Sequence, residues 1–172
     1  MRSAPDLAGA ALEGTQLRVD TRIMQAVEPG TTDFVDCLVG NLRAAARVAT
    51  RRYDAALRDH GLRITQVAIL AQVRTLQPVT VTRLAAELSC ERSVVARDVA
   101  VLEREGLVRI DVDADDRRAR AITLTGVGAQ RLRSAAPAWR RAQHDMRDAL
   151  GPELADQLLG VTRRLVAVLD GA

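Results

Sequence analysis

A chain of 172 residues that is nearly half apolar and carries a formal charge of only +3 can bury a real core, and it is not a polycation that coats nucleic acid indiscriminately. Phe34, Tyr53 and Trp139 are its only aromatic residues, and its Ala, Leu, Val and Arg favour a mostly helical fold. Cys37 and Cys90 have neither metal-ligand nor CxxC spacing, no apolar run approaches the ~20 residues of a membrane span, and no apolar secretory segment opens the chain. The expectation is a soluble cytoplasmic protein with no disulfide scaffold, metal, cofactor or membrane association.

Residues 1–31 mix Gly, Ala, Pro and charge with only a weak helical pattern before Glu28-Pro29-Gly30, and read as a flexible or weakly helical extension. From Thr32 the spacing of Phe34, Leu38, Leu42, Ala45, Ala49, Tyr53 and Leu57 predicts a long amphipathic helix within residues 32–62, stopped by His60-Gly61. Thr65 is the expected cap of a second helix carrying Ile69, Leu70, Val73 and Leu76 and ending near Pro78. Thr80 caps a short third helix with Val81, Leu84 and Leu88 inward. After Ser89-Cys90 a fourth follows with Val95, Val99 and Leu102 inward.

Two short helices separated by a tight turn make a helix-turn-helix. Gly106 ends the fourth helix, and β-prone runs at 107–110 and 120–124 flank the charged turn Asp113-Ala114-Asp115-Asp116-Arg117-Arg118, a hairpin or wing. Residues 63–125 thus form a winged helix-turn-helix. In 126–172 a long helix is expected to bury Leu132, Ala136, Trp139 and Met146, with a kink or break at Pro137. After Gly151-Pro152 a last helix carries Leu154, Leu158, Leu159, Leu165, Val166 and Leu169, apolar enough to dock on a second copy of the chain. The fold class is mainly α with a small β-hairpin wing, plus a helical dimerisation region.

In a helix-turn-helix the second helix enters the major groove. Its outward face here offers Arg92 and Arg97 for phosphate or guanine, Ser93 for either kind of base edge, and Val94 and Ala96 for a thymine methyl. At the hairpin turn Arg117 and Arg118 suit the negative potential of the minor groove, with Asp116 orienting an arginine by a charge-assisted hydrogen bond. Across residues 91–120 acids slightly outnumber arginines, so it is the ordered framework, not charge, that nominates this stretch.

The segments Val79-Thr80-Val81-Thr82-Arg83-Leu84-Ala85-Ala86-Glu87-Leu88, Val101-Leu102-Glu103-Arg104-Glu105-Gly106-Leu107-Val108, Asp115-Asp116-Arg117-Arg118-Ala119-Arg120 and Leu124-Thr125 resemble the MarR family of winged-helix regulators. The likeness runs from Asp33 to Leu169 and includes Leu42-Arg43-Ala44-Ala45-Ala46-Arg47 and Tyr53-Asp54 upstream; the wing's Asp-x-Arg falls on Asp116 and Arg118. It implies a homodimer in which the first, fifth and sixth helices interlock and two reader helices bind half-sites of a pseudo-palindromic operator. It also implies repression relieved by a small-molecule effector or an oxidant. Related sequences commonly carry hydroxyl residues where this chain has Val94 and Ala96, so its operator cannot be transferred by analogy.

One branch of that family senses hydroperoxides through a cysteine whose position falls here on Val39, not on Cys37. Cys90, beside the start of the reader helix, is the other redox candidate, though packing as a small filler is the simpler role for both cysteines. His60 and His144 are too isolated for a metal or catalytic set, and no phosphate loop, nucleophile elbow or carboxylate pair argues for an enzyme. The competing readings are an activator or redox switch on the same framework, and a helical dimer that binds protein or ligand without DNA.

Overall fold

The structure, a computed structural model, describes residues 37–112 and 120–169. The chain divides into two units, one through Ala45 and one from Ala46. The described part of the first is Cys37 and the opening turns of helix α1 (Leu38–Leu57). There the Asn41 backbone N–H and side-chain amide both donate to the Cys37 carbonyl, at 3.0 and 3.1 Å, while Leu38, Val39 and Leu42 are exposed.

In the second unit α1 tightens into a 3₁₀ turn, Arg58–His60, stopped by Gly61 in the left-handed region at φ +64°. Helix α2 spans Ile64–Leu76. Its cap is Arg63, not Thr65: the Arg63 N–H donates to the Gln66 side chain at 2.9 Å, and the Ile64 N–H to Asp54 at 2.8 Å. A carboxylate arriving from α1 therefore does the work expected of a local hydroxyl, a partner that spacing along the chain does not reveal.

Helix α3 (Val81–Glu87) starts where expected, with the Thr80 hydroxyl accepting from the Arg83 N–H at 3.2 Å. The turn to α4 (Arg92–Arg104) passes through Ser89 at φ +46°, and the Cys90 N–H is held by the Ala85 carbonyl at 2.9 Å. Strands β1 (Val108–Val112) and β2 (Arg120–Leu124) pair antiparallel, with Val108 opposite Leu124 and Val112 opposite Arg120. Val79 adds a third, one-residue rung, exchanging both backbone hydrogen bonds with Ile122.

The core gathers Leu57, Leu70, Val73, Leu84, Val95, Val99, Leu102, Leu107 and Ile122, each almost fully buried. Burial of each such side chain is worth about 1.5–3 kcal/mol. Every element from the end of α1 to β2 contributes to this cluster, so the winged helix-turn-helix expected from the sequence forms around one core.

Helix α5 (Gly126–Leu150) runs through Pro137 without a break. Proline removes one hydrogen bond to the carbonyl of Arg133, but both residues are exposed, so water can take its place. The buried face is Leu132, Ala135, Ala138 and Ala142; Ala136 and Met146 are half-buried and Trp139 is exposed. The expected stripe thus holds at Leu132, holds in part at Ala136 and Met146 and fails at Trp139, with the small Ala135, Ala138 and Ala142 on the closely packed face. Pro152 opens α6 (Pro152–Leu169) at the first helical position, as proline's fixed φ favours. Of this helix only Ala155 is buried, and Leu154, Leu158, Leu159, Val166 and Leu169 are exposed.

Candidate DNA-reading surface

The side chains proposed to read DNA sit where helical periodicity puts them. Val95, Val99 and Leu102 turn α4 inward onto the core, which leaves Arg92, Ser93, Val94, Ala96 and Arg97 exposed along its first turns. Val94 is 45% exposed although apolar, an orientation that the inward-facing Val95, Val99 and Leu102 enforce. Two guanidiniums, a hydroxyl and two methyl-bearing side chains thus share one surface, a mixture that suits both phosphates and base edges.

One acid of α4, Asp98, and the Glu105 that follows the helix face away from its first turns. Asp98 and Glu105 line a groove of about 680 Å³ together with Arg51, Arg58 and Arg63 from the end of α1 and the start of α2. A count along the chain sees an acidic excess, whereas the fold places two of those acids opposite arginines remote in sequence.

Helix α4 is stopped sharply at its C-terminal end. Gly106, at φ +69°, closes it in a left-handed cap, and the Leu107 N–H donates to the Leu102 carbonyl at 2.8 Å. The hairpin is anchored at its root by the Val79–Ile122 rung and by Gln77, whose side-chain oxygen accepts from the Leu124 N–H at 2.7 Å. Sequence reasoning overlooked Gln77, and its only signal was a polar residue just ahead of Pro78. Arg109 pairs with Asp111 at 2.6 Å on the exposed face of the hairpin, a surface contact of little energetic weight. Asp116, Arg117 and Arg118 lie outside the described residues.

Cys90 is exposed two residues ahead of Arg92, its thiol donating to the Leu88 carbonyl at 3.2 Å, and Cys37 is half-buried just before α1. His144 is exposed and lies 2.8 Å from Asp148; among the described residues no group of His, Cys, Asp and Glu could hold a metal ion. Nor is any described helix long and apolar enough to cross a membrane. Tyr53 on α1 donates its hydroxyl to the Gln143 side-chain oxygen on α5, and burial pushes the phenol's pKa above its ordinary value. A cleft of about 620 Å³ opens between α2 and α5, with Val67, Ala71, Leu132 and Trp139 as apolar walls and Arg74 and Arg140 among its polar residues.

A helix-turn-helix whose second helix presents arginines, followed by a hairpin rooted on the same core, defines a winged-helix DNA-binding protein. The sequence profile of the MarR family matches residues 62–119. The M. tuberculosis transcriptional regulator MosR, solved in complex with DNA, is 34% identical with a TM-score of 0.67, the match covering 78% of this chain and 99% of that one. The chain belongs to the MarR family of transcriptional regulators. Two further structures share the fold at lower identity. S. aureus MepR, solved with DNA, is 20% identical with a TM-score of 0.67, covering 77% of this chain and 98% of that one. A MarR-family regulator from Rhodococcus is 21% identical with a TM-score of 0.65, covering 78% and 93%. None of the curated proteins matches significantly in sequence.

Proposed function

We propose that this regulator is a homodimeric repressor that binds a pseudo-palindromic operator and is released from it by a small molecule. Arg92, Ser93, Val94, Ala96 and Arg97 enter the major groove; Arg117 and Arg118 reach the minor groove from the hairpin turn, with Asp116 orienting one of them. The observation that carries this reading is the exposed mixed face at the start of α4 on a helix-turn-helix core. The DNA-bound MosR structure, related at 34% identity over almost its whole length, supports it.

The dimer is supported by α6, whose apolar side chains Leu154, Leu158, Leu159, Val166 and Leu169 find little cover within one chain. A continuous apolar helix face of this kind is normally covered by a partner, and a second copy is the economical one. The effector site is the α2/α5 cleft, whose apolar walls and arginines suit an apolar or aromatic anion.

The test is a salt-titrated anisotropy measurement with the DNA segment upstream of the protein's own gene and a shuffled duplex of the same length. Preferential binding of the upstream segment is the expected result, and equal affinity at every salt concentration would refute sequence-specific reading. A redox-controlled variant of this function is favoured by the exposure of Cys90 next to the reader helix. Peroxide-induced release that persists after both cysteines are replaced by serine would dismiss it.

A further inference from the structure

The first turn of α5 is fused to the end of the reader helix by contacts that go beyond capping. The Thr125 side chain caps α5 in the ordinary way, accepting from the Gly128 N–H at 3.0 Å. The same hydroxyl donates its proton to the Gly106 carbonyl at 2.7 Å, with the Leu107 carbonyl close by at 3.1 Å. The Thr125 backbone N–H also donates to the Leu107 carbonyl, at 3.1 Å.

Gly106 and Leu107 are the residues that terminate α4: Gly106 supplies the left-handed cap, and the Leu107 N–H closes the last turn onto Leu102. Gly128 lets the two helices come this close, since a Cβ built there would lie 2.0 Å from the Leu107 carbonyl oxygen. One threonine thus satisfies an orphan N–H at the start of α5 and binds the two carbonyls that follow the end of α4. An isolated cap would need only the bond to Gly128.

From this geometry we infer that Thr125 is a positioning residue for DNA recognition: its bond to the Gly106–Leu107 cap fixes the pose of the reader helix from behind, without touching DNA. This role rests on the DNA-reading function proposed above. Base contacts need the reader held to a fraction of an ångström, whereas phosphate contacts by flexible arginines tolerate small displacements. Loosening the junction therefore lowers affinity for the cognate sequence selectively.

Two substitutions separate this role from simple stabilisation. Thr125→Val removes both bonds of the hydroxyl. Thr125→Asp keeps an acceptor for the Gly128 N–H, at a helix end that favours negative charge, but has no proton to give to Gly106. Thr125→Ser keeps both bonds. Ser134→Gly, at an exposed site two turns further along α5, weakens the helix away from the junction.

Each variant is titrated with the upstream segment and the shuffled duplex at fixed salt, with thermal unfolding recorded in parallel. Thr125→Val and Thr125→Asp are expected to lose upstream affinity about tenfold, the equivalent of one misread base pair. The added charge of Thr125→Asp weakens both duplexes alike, so the ratio of the two affinities isolates the loss of pose. That ratio is expected to return to the parent value in Thr125→Ser and to stay unchanged in Ser134→Gly. A parent that discriminates between the duplexes while folded Thr125→Asp discriminates equally well overturns the positioning role alone. A parent that binds both duplexes equally overturns the operator reading and the positioning role with it.

Discussion

Gly128→Ala tests whether the approach of α5 to the end of the reader helix is as close as described. An exposed helix-interior Gly→Ala change normally stabilises by about 1 kcal/mol. At this position the new Cβ would lie 2.0 Å from the Leu107 carbonyl oxygen and 2.9 Å from its carbonyl carbon, where ordinary contact begins near 3.4 Å. About 1.4 Å of separation must therefore be found between two backbones, one of them already engaged by Thr125. Forced overpacking of this kind costs roughly 1–3 kcal/mol and more against main chain than against a movable side chain, so the net expected loss is about 1–2 kcal/mol.

For a chain of this length each kcal/mol moves Tm by about 2–4 °C, giving an expected fall of roughly 2–8 °C in a calorimetric or circular-dichroism melt. Gly126→Ala is the matched comparison, since a Cβ there has nothing within 4 Å; its melt should be unchanged or slightly higher. An equal or raised Tm for Gly128→Ala would refute the reasoning, because helix propensity would then outweigh a clash that the geometry makes unavoidable.

Leu102→Ala, at a fully buried reader-helix position, should cost about 2–5 kcal/mol in denaturant unfolding, the transfer and cavity cost of a core leucine. Arg118→Ala should weaken binding to the upstream and shuffled duplexes alike and flatten the salt dependence by about one unit, whereas Arg97→Ala should lower the ratio between them; both are read by salt-titrated anisotropy. Tyr53→Phe should cost about 1 kcal/mol near neutral pH through loss of the bond to Gln143. The folded protein holds the Tyr53 phenol neutral more strongly than the unfolded chain does. That preference contributes stability below the ordinary pKa of 10.0 and is lost as pH rises through the folded pKa, so urea melts of Tyr53→Phe should fall less steeply with pH on the alkaline side.

Much of the framework was legible along the chain because it rests on local rules. Thr80 capping α3, the buried triplet Val95, Val99 and Leu102, the glycine stops at 61 and 106, and proline opening α6 each depend on neighbours within a turn or two. The exposed reading face followed directly, since the buried triplet of a short helix dictates what its other side shows. Two expectations failed where packing or a residue remote in sequence intervened. Asp54, arriving from α1, joins the local Gln66 in moving the start of α2 from Thr65 to Arg63, and on α5 the packed face holds Ala135, Ala138 and Ala142 while Trp139 stays exposed.

Side-chain period and capping chemistry are written in adjacent residues, and they specify a helix-turn-helix with a hairpin and the outward-facing side chains of its second helix. Tertiary structure alone decided how that reader is held. The Val79–Ile122 rung, the bond from Leu124 to Gln77, and the seat of Thr125 and Gly128 on the Gly106–Leu107 cap join residues 18 to 47 positions apart. Such partners meet only because burial of one shared core brings their backbones within hydrogen-bonding distance. No periodicity along the chain records that distance.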